Sequence, residues 1–262
     1  MSGALFLCLG FLSFPAQEGE EVEAPARAPR LESLQAQVDL AKAEKSKARG
    51  LKGGARIRQL EAAGLAYAGV AHWWPGPGKL QAEASYRRGE IHRILRKPGQ
   101  ARGAFIEVLD WGRGTDWYPR AWLELGHLRR RSGEWGRALR RYRDLAQMEN
   151  SRLRYRNDGR EWLGRSHLKL GNWVEAEGPF REWALQAEGP VEAVRAWDLC
   201  AQSLLLAGKP KEAEQVMQRT LEAYSRMATD PTPEGAALKK ALSRMKTPDL
   251  LKEREEVERS EK

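Results

Sequence analysis

A small residue recurs at a nearly constant interval through the middle of this chain. Gly89, Gly126, Gly164 and Ala201 follow one another at intervals of 37, 38 and 37 residues. An alanine lies twelve residues after each of them, at Ala101, Ala138, Ala176 and Ala213. A period of this length is typical of a stack of similar units, because each unit buries its apolar face only against its neighbours.

Each copy predicts two antiparallel helices that cross at these small residues. Alanine, leucine, arginine and glutamate dominate the region, and these residues favour helix. A glycine that can adopt the left-handed conformation ends the first helix in three copies, at Gly133, Gly171 and Gly208. The first copy has no glycine there, and its turn begins at Arg96. Helices approach most closely where both carry glycine or alanine, so we expect Gly126 opposite Ala138.

The order of residues in each copy resembles the tetratricopeptide repeat family. The resemblance is clearest in the second copy, at Trp122, Leu125, Gly126, Gly133, Ala138 and Tyr142. It predicts four repeats, over about residues 79–117, 118–153, 154–190 and 191–228. It implies an all-α fold, a right-handed α-solenoid of antiparallel helix pairs. It also implies a non-catalytic scaffold that binds a protein or peptide partner in a concave groove.

The segments on either side of the repeats carry weaker helical patterns. Residues 31–78 predict an N-terminal helix pair, which is a possible diverged repeat. Residues 229–247 predict a capping helix that begins near Thr232 and Pro233. Ten of the fifteen residues 248–262 are charged, and the segment predicts a frayed helical tail.

The N-terminus predicts export. An apolar run from Ala4 to Phe14 precedes Pro15 and Ala16, which is typical of a signal peptide at residues 1–16, and residues 17–30 read as a flexible linker. The run is too short to span a bilayer, so after cleavage we expect no transmembrane span. The predicted location is the periplasm or cell envelope, and the alternative is the cytoplasm if the segment is not a signal. Cleavage would leave Cys200 as a lone cysteine, which we interpret as a small buried hydrophobe.

A stretch rich in arginine indicates the kind of partner. Residues 113–165 contain fourteen arginines and seven acidic residues. This pattern is either a solvated surface or a site for an acidic partner, because the guanidinium group pairs well with carboxylates and phosphates. Binding of nucleic acid or another polyanion through residues 113–165 is the alternative function.

The family resemblance also implies which side chains line the groove. In such stacks the first helix of each pair faces the ligand. The corresponding positions in this chain are Arg87, Glu90, Arg93, Arg120, Glu124, His127, Arg130, Arg131, Trp162, Arg165, Lys169 and Gln202.

No motif predicts an enzyme. The four histidines lack metal-ligand spacing, and the sequence has no phosphate-binding loop or nucleophile elbow. His92 and His167 occupy one repeat position, which favours a structural, hydrogen-bonded role. We therefore expect no catalytic residues, no metal and no cofactor, and the oligomeric state stays open.

Overall fold

The computed structural model describes residues 28–260, which are helical throughout apart from the turns and loops between helices. The predicted signal peptide and most of the linker lie in residues 1–27, outside the described residues, as do residues 261 and 262. The helices are α1 (Leu34–Lys47), α2 (Gly53–Trp73), α3 (Lys79–Ile94), α4 (Pro98–Trp111), α5 (Trp117–Arg131), α6 (Trp135–Ala146), α7 (Leu153–Lys169), α8 (Trp173–Leu185), α9 (Pro190–Leu206), α10 (Pro210–Tyr224), a 3₁₀ helix (Met227–Thr229), α11 (Pro233–Leu242) and α12 (Thr247–Ser260).

Consecutive helices pack as pairs joined by short turns. The first five pairs are α1 with α2, α3 with α4, α5 with α6, α7 with α8, and α9 with α10. Each pair also packs against the next, through contacts such as those of α2 with α3 and α6 with α7. The part of the chain that the structure describes contains no strand. The predicted all-α solenoid of helix pairs is confirmed.

The turn between the two helices of a pair uses the left-handed conformation in all four repeats. Three repeats place glycine there, with φ of 79°, 76° and 77° at Gly133, Gly171 and Gly208. The first repeat places Arg96 there, with φ of 56°. A residue with a Cβ is strained in this region, by about 1 to 2 kcal/mol. The first repeat therefore keeps the turn at a cost in stability.

The recurring glycines make room for aromatic rings. The eight predicted crossing residues are all buried. A Cβ atom added at Gly126 would lie 2.5 Å from Cε1 of Tyr142, which is closer than carbon atoms can approach. The two neighbouring repeats show the same contact, in the pairs Gly89 with Phe105 and Gly164 with Phe180.

The expectation that Gly126 lies opposite Ala138 stays a prediction, and the structure adds a contact between Gly126 and Tyr142. The atoms nearest to the missing side chain belong to Tyr142, four residues further along α6. A flat ring lying on the backbone of the first helix leaves no space for a methyl group. In the fourth repeat the corresponding residues are Ala201 and Met217, and a flexible methionine can leave that space.

The C-terminal helices are anchored to the last repeat by Asp198 of α9. Its buried carboxylate accepts hydrogen bonds from the backbone N–H groups of Lys246 and Thr247, at 3.1 and 3.0 Å. It also accepts one from the hydroxyl of Thr247 at 2.7 Å. This cap fixes the start of α12, so the segment predicted as a frayed tail begins as a helix tied to the stack.

Cys200 lies within the stack, and so do His92 and His167, the two histidines that occupy the same position of different repeats. Cys200 packs in an apolar core with Phe180 and Ala196, and burial raises the pKa of its thiol to about 12. The Nδ1 atoms of His92 and His167 are buried and have no hydrogen-bond partner, so the expectation of a hydrogen-bonded role is wrong for those atoms. Burial lowers the pKa of both rings.

We expect Arg96→Gly to stabilise the protein by about 0.5 to 1 kcal/mol. The change removes the left-handed strain, and the greater freedom of glycine in the unfolded chain offsets part of the gain. Chemical denaturation of the variant and of the unmodified protein measures the difference in their free energies of unfolding. Arg96→Ala is the control, since it removes the charged side chain and keeps the Cβ. An equal gain in that control would contradict a backbone origin.

Gly126→Ala should destabilise the protein by about 1 to 3 kcal/mol, because the new methyl group displaces the ring of Tyr142. Thermal unfolding followed by circular dichroism provides the test. Gly136→Ala is the matched control, because a Cβ at that helical position would meet no atom within 4 Å. It should leave stability unchanged or increase it, since alanine favours helix. Equal melting temperatures for Gly126→Ala and the unmodified protein would refute the ring contact.

Candidate partner-binding surface

The first helices of successive pairs form one surface. Helix α3 contacts α5, and α5 contacts α7. All twelve predicted groove residues lie on α3, α5, α7 and α9. We call the surface formed by these residues and their neighbours on the same four helices the first-helix surface.

Arginines and aromatic rings alternate across this surface from α3 to α7. The guanidinium groups of Arg87 and Arg120 each lie 4.9 Å from the ring centre of Trp117. Arg120 also donates a hydrogen bond from Nε to the hydroxyl of Tyr155, at 2.8 Å. Cations within about 6 Å of a ring are attracted to its face. These contacts therefore join three first helices, α3, α5 and α7, and hold the side chain of Arg120 in one place.

A second cluster surrounds Trp162 of α7. Arg130 lies 4.7 Å from the ring centre, and the ring of His127 meets it edge-on at 4.8 Å. The Nδ1 atom of His127 is 2.8 Å from the hydroxyl of Tyr142, the residue that packs on Gly126. Burial, with Arg130 and Arg131 nearby, lowers the pKa of His127 to about 4. His127 is therefore neutral at pH 7 and contributes shape and hydrogen bonding.

Several predicted groove residues neutralise one another. Glu90 accepts hydrogen bonds from Arg87 at 2.8 Å and from Lys45 of α1 at 3.0 Å. Arg93 lies 3.5 Å from Glu124, and burial raises the pKa of that carboxyl group. The ion pairs join neighbouring first helices and also reduce the charge that a partner would meet.

Three arginines of α5 form no ion pair within the described part of the chain. Among residues 28–260, no carboxylate forms an ion pair with Arg120, Arg130 or Arg131, whereas Arg165 of α7 pairs with Glu161 at 2.9 Å. The structure thus places three cations without carboxylate partners at the centre of the first-helix surface. The remaining two predicted residues are at its far end, where Lys169 is exposed and Gln202 donates a hydrogen bond to Asp198 at 2.8 Å.

The sequence analysis missed two carboxylates on this surface, Asp158 and Glu161. Burial, with Glu161 and Glu192 nearby, raises the pKa of Asp158 to about 6. Glu161 pairs with Arg165 and, at 3.5 Å, with Arg195 of α9. The repeat itself could have found Asp158, because it lies 38 residues after Arg120 and occupies the same position of the next repeat.

The part of the chain that the structure describes contains neither a group of metal ligands nor a membrane-spanning helix. No three histidine, cysteine or acidic side chains of residues 28–260 are grouped so that they could hold a metal ion. None of the helices in the same residues combines the length and the apolar content needed to span a bilayer.

A stack of helix pairs whose first helices share one surface is an α-solenoid. Residues 121–154 match the sequence model of the tetratricopeptide repeat. The repeat matched in sequence lies in a fold that solved tetratricopeptide repeat proteins share, so the predicted resemblance to that family is confirmed. Members of this family bind protein or peptide partners and are generally non-catalytic scaffolds.

Solved structures of repeat proteins have a similar fold. The MamA protein is 16% identical, with a TM-score of 0.57 over 76% of this chain and 96% of that one. A putative kinesin light chain of Podosopora anserina with nearly identical TPR-like repeats is 14% identical, with a TM-score of 0.55 over 76% of this chain and 100% of that one. YrrB, a TPR protein with an unusual peptide-binding site, is 15% identical, with a TM-score of 0.50 over 72% of this chain and 86% of that one. No curated protein sequence matches.

We expect Asp158→Asn to stabilise the protein at pH 7 by about 1 kcal/mol, after allowance for solvent screening. The folded pKa of about 6 exceeds the ordinary 3.8, so the folded state binds the proton more tightly. The carboxylate therefore destabilises the fold above pH 6, and the penalty disappears as the pH falls toward 4. Unfolding at pH 7 and at pH 4 measures the difference. The exposed Asp39→Asn is the control, and an equal gain at both pH values would contradict the assignment.

Proposed function

We propose that this protein is a non-catalytic scaffold that binds an acidic segment of a protein partner along the first-helix surface. The observation that carries the proposal is the set of three arginines on α5 that form no ion pair with a carboxylate of the described residues. A guanidinium group presents several donors in a fixed plane, which suits a carboxylate. Charge complementarity of this kind directs the partner to the surface and sets its position.

Two of the three arginines, Arg120 and Arg130, are also held in position by ring contacts. Trp117 and Tyr155 hold Arg120, and Trp162 holds Arg130. Side chains that are already ordered lose less conformational entropy on binding, by about 0.5 to 1.5 kcal/mol for each long side chain. A surface of this kind favours recognition of a peptide that places its carboxylates at matching intervals.

The same rings argue against the alternative of nucleic-acid binding. Single-stranded nucleic acids use exposed aromatic faces on which bases stack. Here arginines of the protein lie over the rings of Trp117, Tyr155 and Trp162. Glu124 and Asp158 also lie on the same first helices, and a uniformly negative phosphate backbone would meet them unfavourably. A peptide can place neutral residues at those points.

The proposed place of action is the periplasm or the cell envelope. The support is the apolar run from Ala4 to Phe14 with the small residue Ala16 after it. The peptide binding described for YrrB belongs to that protein. For this chain, a peptide ligand is proposed because of the arginines on its own first-helix surface.

The test uses a labelled twelve-residue peptide of alternating glutamate and alanine, with fluorescence anisotropy at about 0.15 M salt. Changing Arg120→Glu together with Arg131→Glu should weaken binding at least tenfold. Arg140→Glu with Arg143→Glu on α6 is the matched control, because it changes the net charge equally through exposed residues outside the first-helix surface, and it should alter binding less than twofold.

Two results would reject the proposal. Equal losses in the two double variants would mean that the peptide responds to net charge alone. Tighter binding of a twelve-nucleotide DNA single strand than of the acidic peptide would favour the nucleic-acid alternative.

A further inference from the structure

A pocket of about 520 Å³ lies at the C-terminal end of the first-helix surface. It forms where α11, which follows the last repeat, packs beside α9. A volume of this size is in the usual range of ligand-binding pockets, about 300 to 1,000 Å³. Residues 229–247 were predicted as a capping helix, and the pocket is partly lined by residues of this segment.

Cations dominate the polar lining of this pocket. Two come from the repeats and three from the C-terminal cap, in the set Arg165, Arg195, Lys240, Arg244 and Lys246. Glu161 pairs with Arg165 and Arg195. Among the described residues, no carboxylate forms an ion pair with any of the three cap cations.

Among the described lining residues, the one carboxylate is that of Asp198, and its oxygens already accept hydrogen bonds within the protein. Asp198 accepts hydrogen bonds from two backbone N–H groups, from the hydroxyl of Thr247 and from the amide of Gln202. These bonds use its oxygens to hold the start of α12. The pocket therefore keeps an excess of positive charge in the folded protein.

Apolar side chains lie beside the cations of this pocket. Apart from the cations, Asp198 and Gln202, the described lining residues are apolar and include Val191, Leu199 and Met245. An apolar lining beneath a group of cations matches a ligand that carries both carboxylate and apolar side chains. None of the described residues that line the pocket is aromatic, so they offer bases no face on which to stack.

We propose that this pocket binds the end of the partner's acidic segment, at a point where glutamate or aspartate alternates with leucine-like residues. The inference rests on the proposed function and adds to it a subsite supplied by the C-terminal cap. Lys240 and Arg244 contact the carboxylates, and the apolar side chains take up the residues between them. The repeats and the cap then act as one binding surface.

The probe is a labelled six-residue peptide of alternating glutamate and leucine, followed by fluorescence anisotropy. Six residues extend over about 20 Å, so the peptide can fill the pocket without following the whole first-helix surface. Lys240→Glu with Arg244→Glu should weaken binding at least tenfold. The same peptide with glutamine in place of glutamate should bind at least tenfold more weakly to the unmodified protein.

The control is Lys211→Glu with Lys239→Glu, which makes the same change in net charge through two exposed lysines that do not line the pocket. It should change binding less than twofold, with all variants retaining the helical circular dichroism of the unmodified protein. Equal weakening by the control would overturn the assignment of the pocket, and so would tighter binding of a six-nucleotide DNA single strand.

The α5 double variant, Arg120→Glu with Arg131→Glu, separates the two proposals. It should weaken the twelve-residue peptide and leave the six-residue peptide within threefold. Loss of twelve-residue binding in the α5 variant, together with six-residue binding that is unaffected by Lys240→Glu and Arg244→Glu, would overturn the pocket and leave the proposed function standing. Failure of the α5 variant to affect the twelve-residue peptide would overturn the proposed function instead.

Discussion

The contact between a glycine of the first helix and an aromatic ring of the second is the interaction on which the stack depends. Where Gly126 meets Tyr142, the ring lies where any side chain would be, so a larger residue at position 126 would displace the ring. Because the packing is this tight, the position of one helix fixes the position of the helix that packs against it. Tyr142 also lies 2.8 Å from Nδ1 of His127, so the same ring connects the core to the first-helix surface.

The arrangement of side chains on the first-helix surface depends on this core. Because the first helices are held side by side, arginines of one helix reach rings and carboxylates of the next, as Arg93 reaches Glu124 and Arg130 reaches Trp162. Individual exposed ion pairs contribute little to stability, about 0 to 1 kcal/mol each. They also determine which charges stay unpaired among the described residues, and on α5 those are Arg120, Arg130 and Arg131.

The site was predictable to the extent that it follows the repeat. All twelve groove positions lie on the first helices, because a position repeated every 37 or 38 residues returns to the same face. Asp158 also follows the repeat and was overlooked among many acidic residues. The pocket beside α11 could not be predicted, because the cap does not repeat and its position depends on hydrogen bonds to Asp198.

The sequence by itself determined the helices, their pairing and the face that carries the arginines, since all three follow from small and large residues that recur with one period. It also marked the turns, although Arg96 shows that the conformation persists where glycine is missing. Only the tertiary structure decided that the glycines face rings, which arginines are neutralised and where the cap lies. Those features depend on side chains from different helices that meet in space, and such contacts leave no local pattern in the chain.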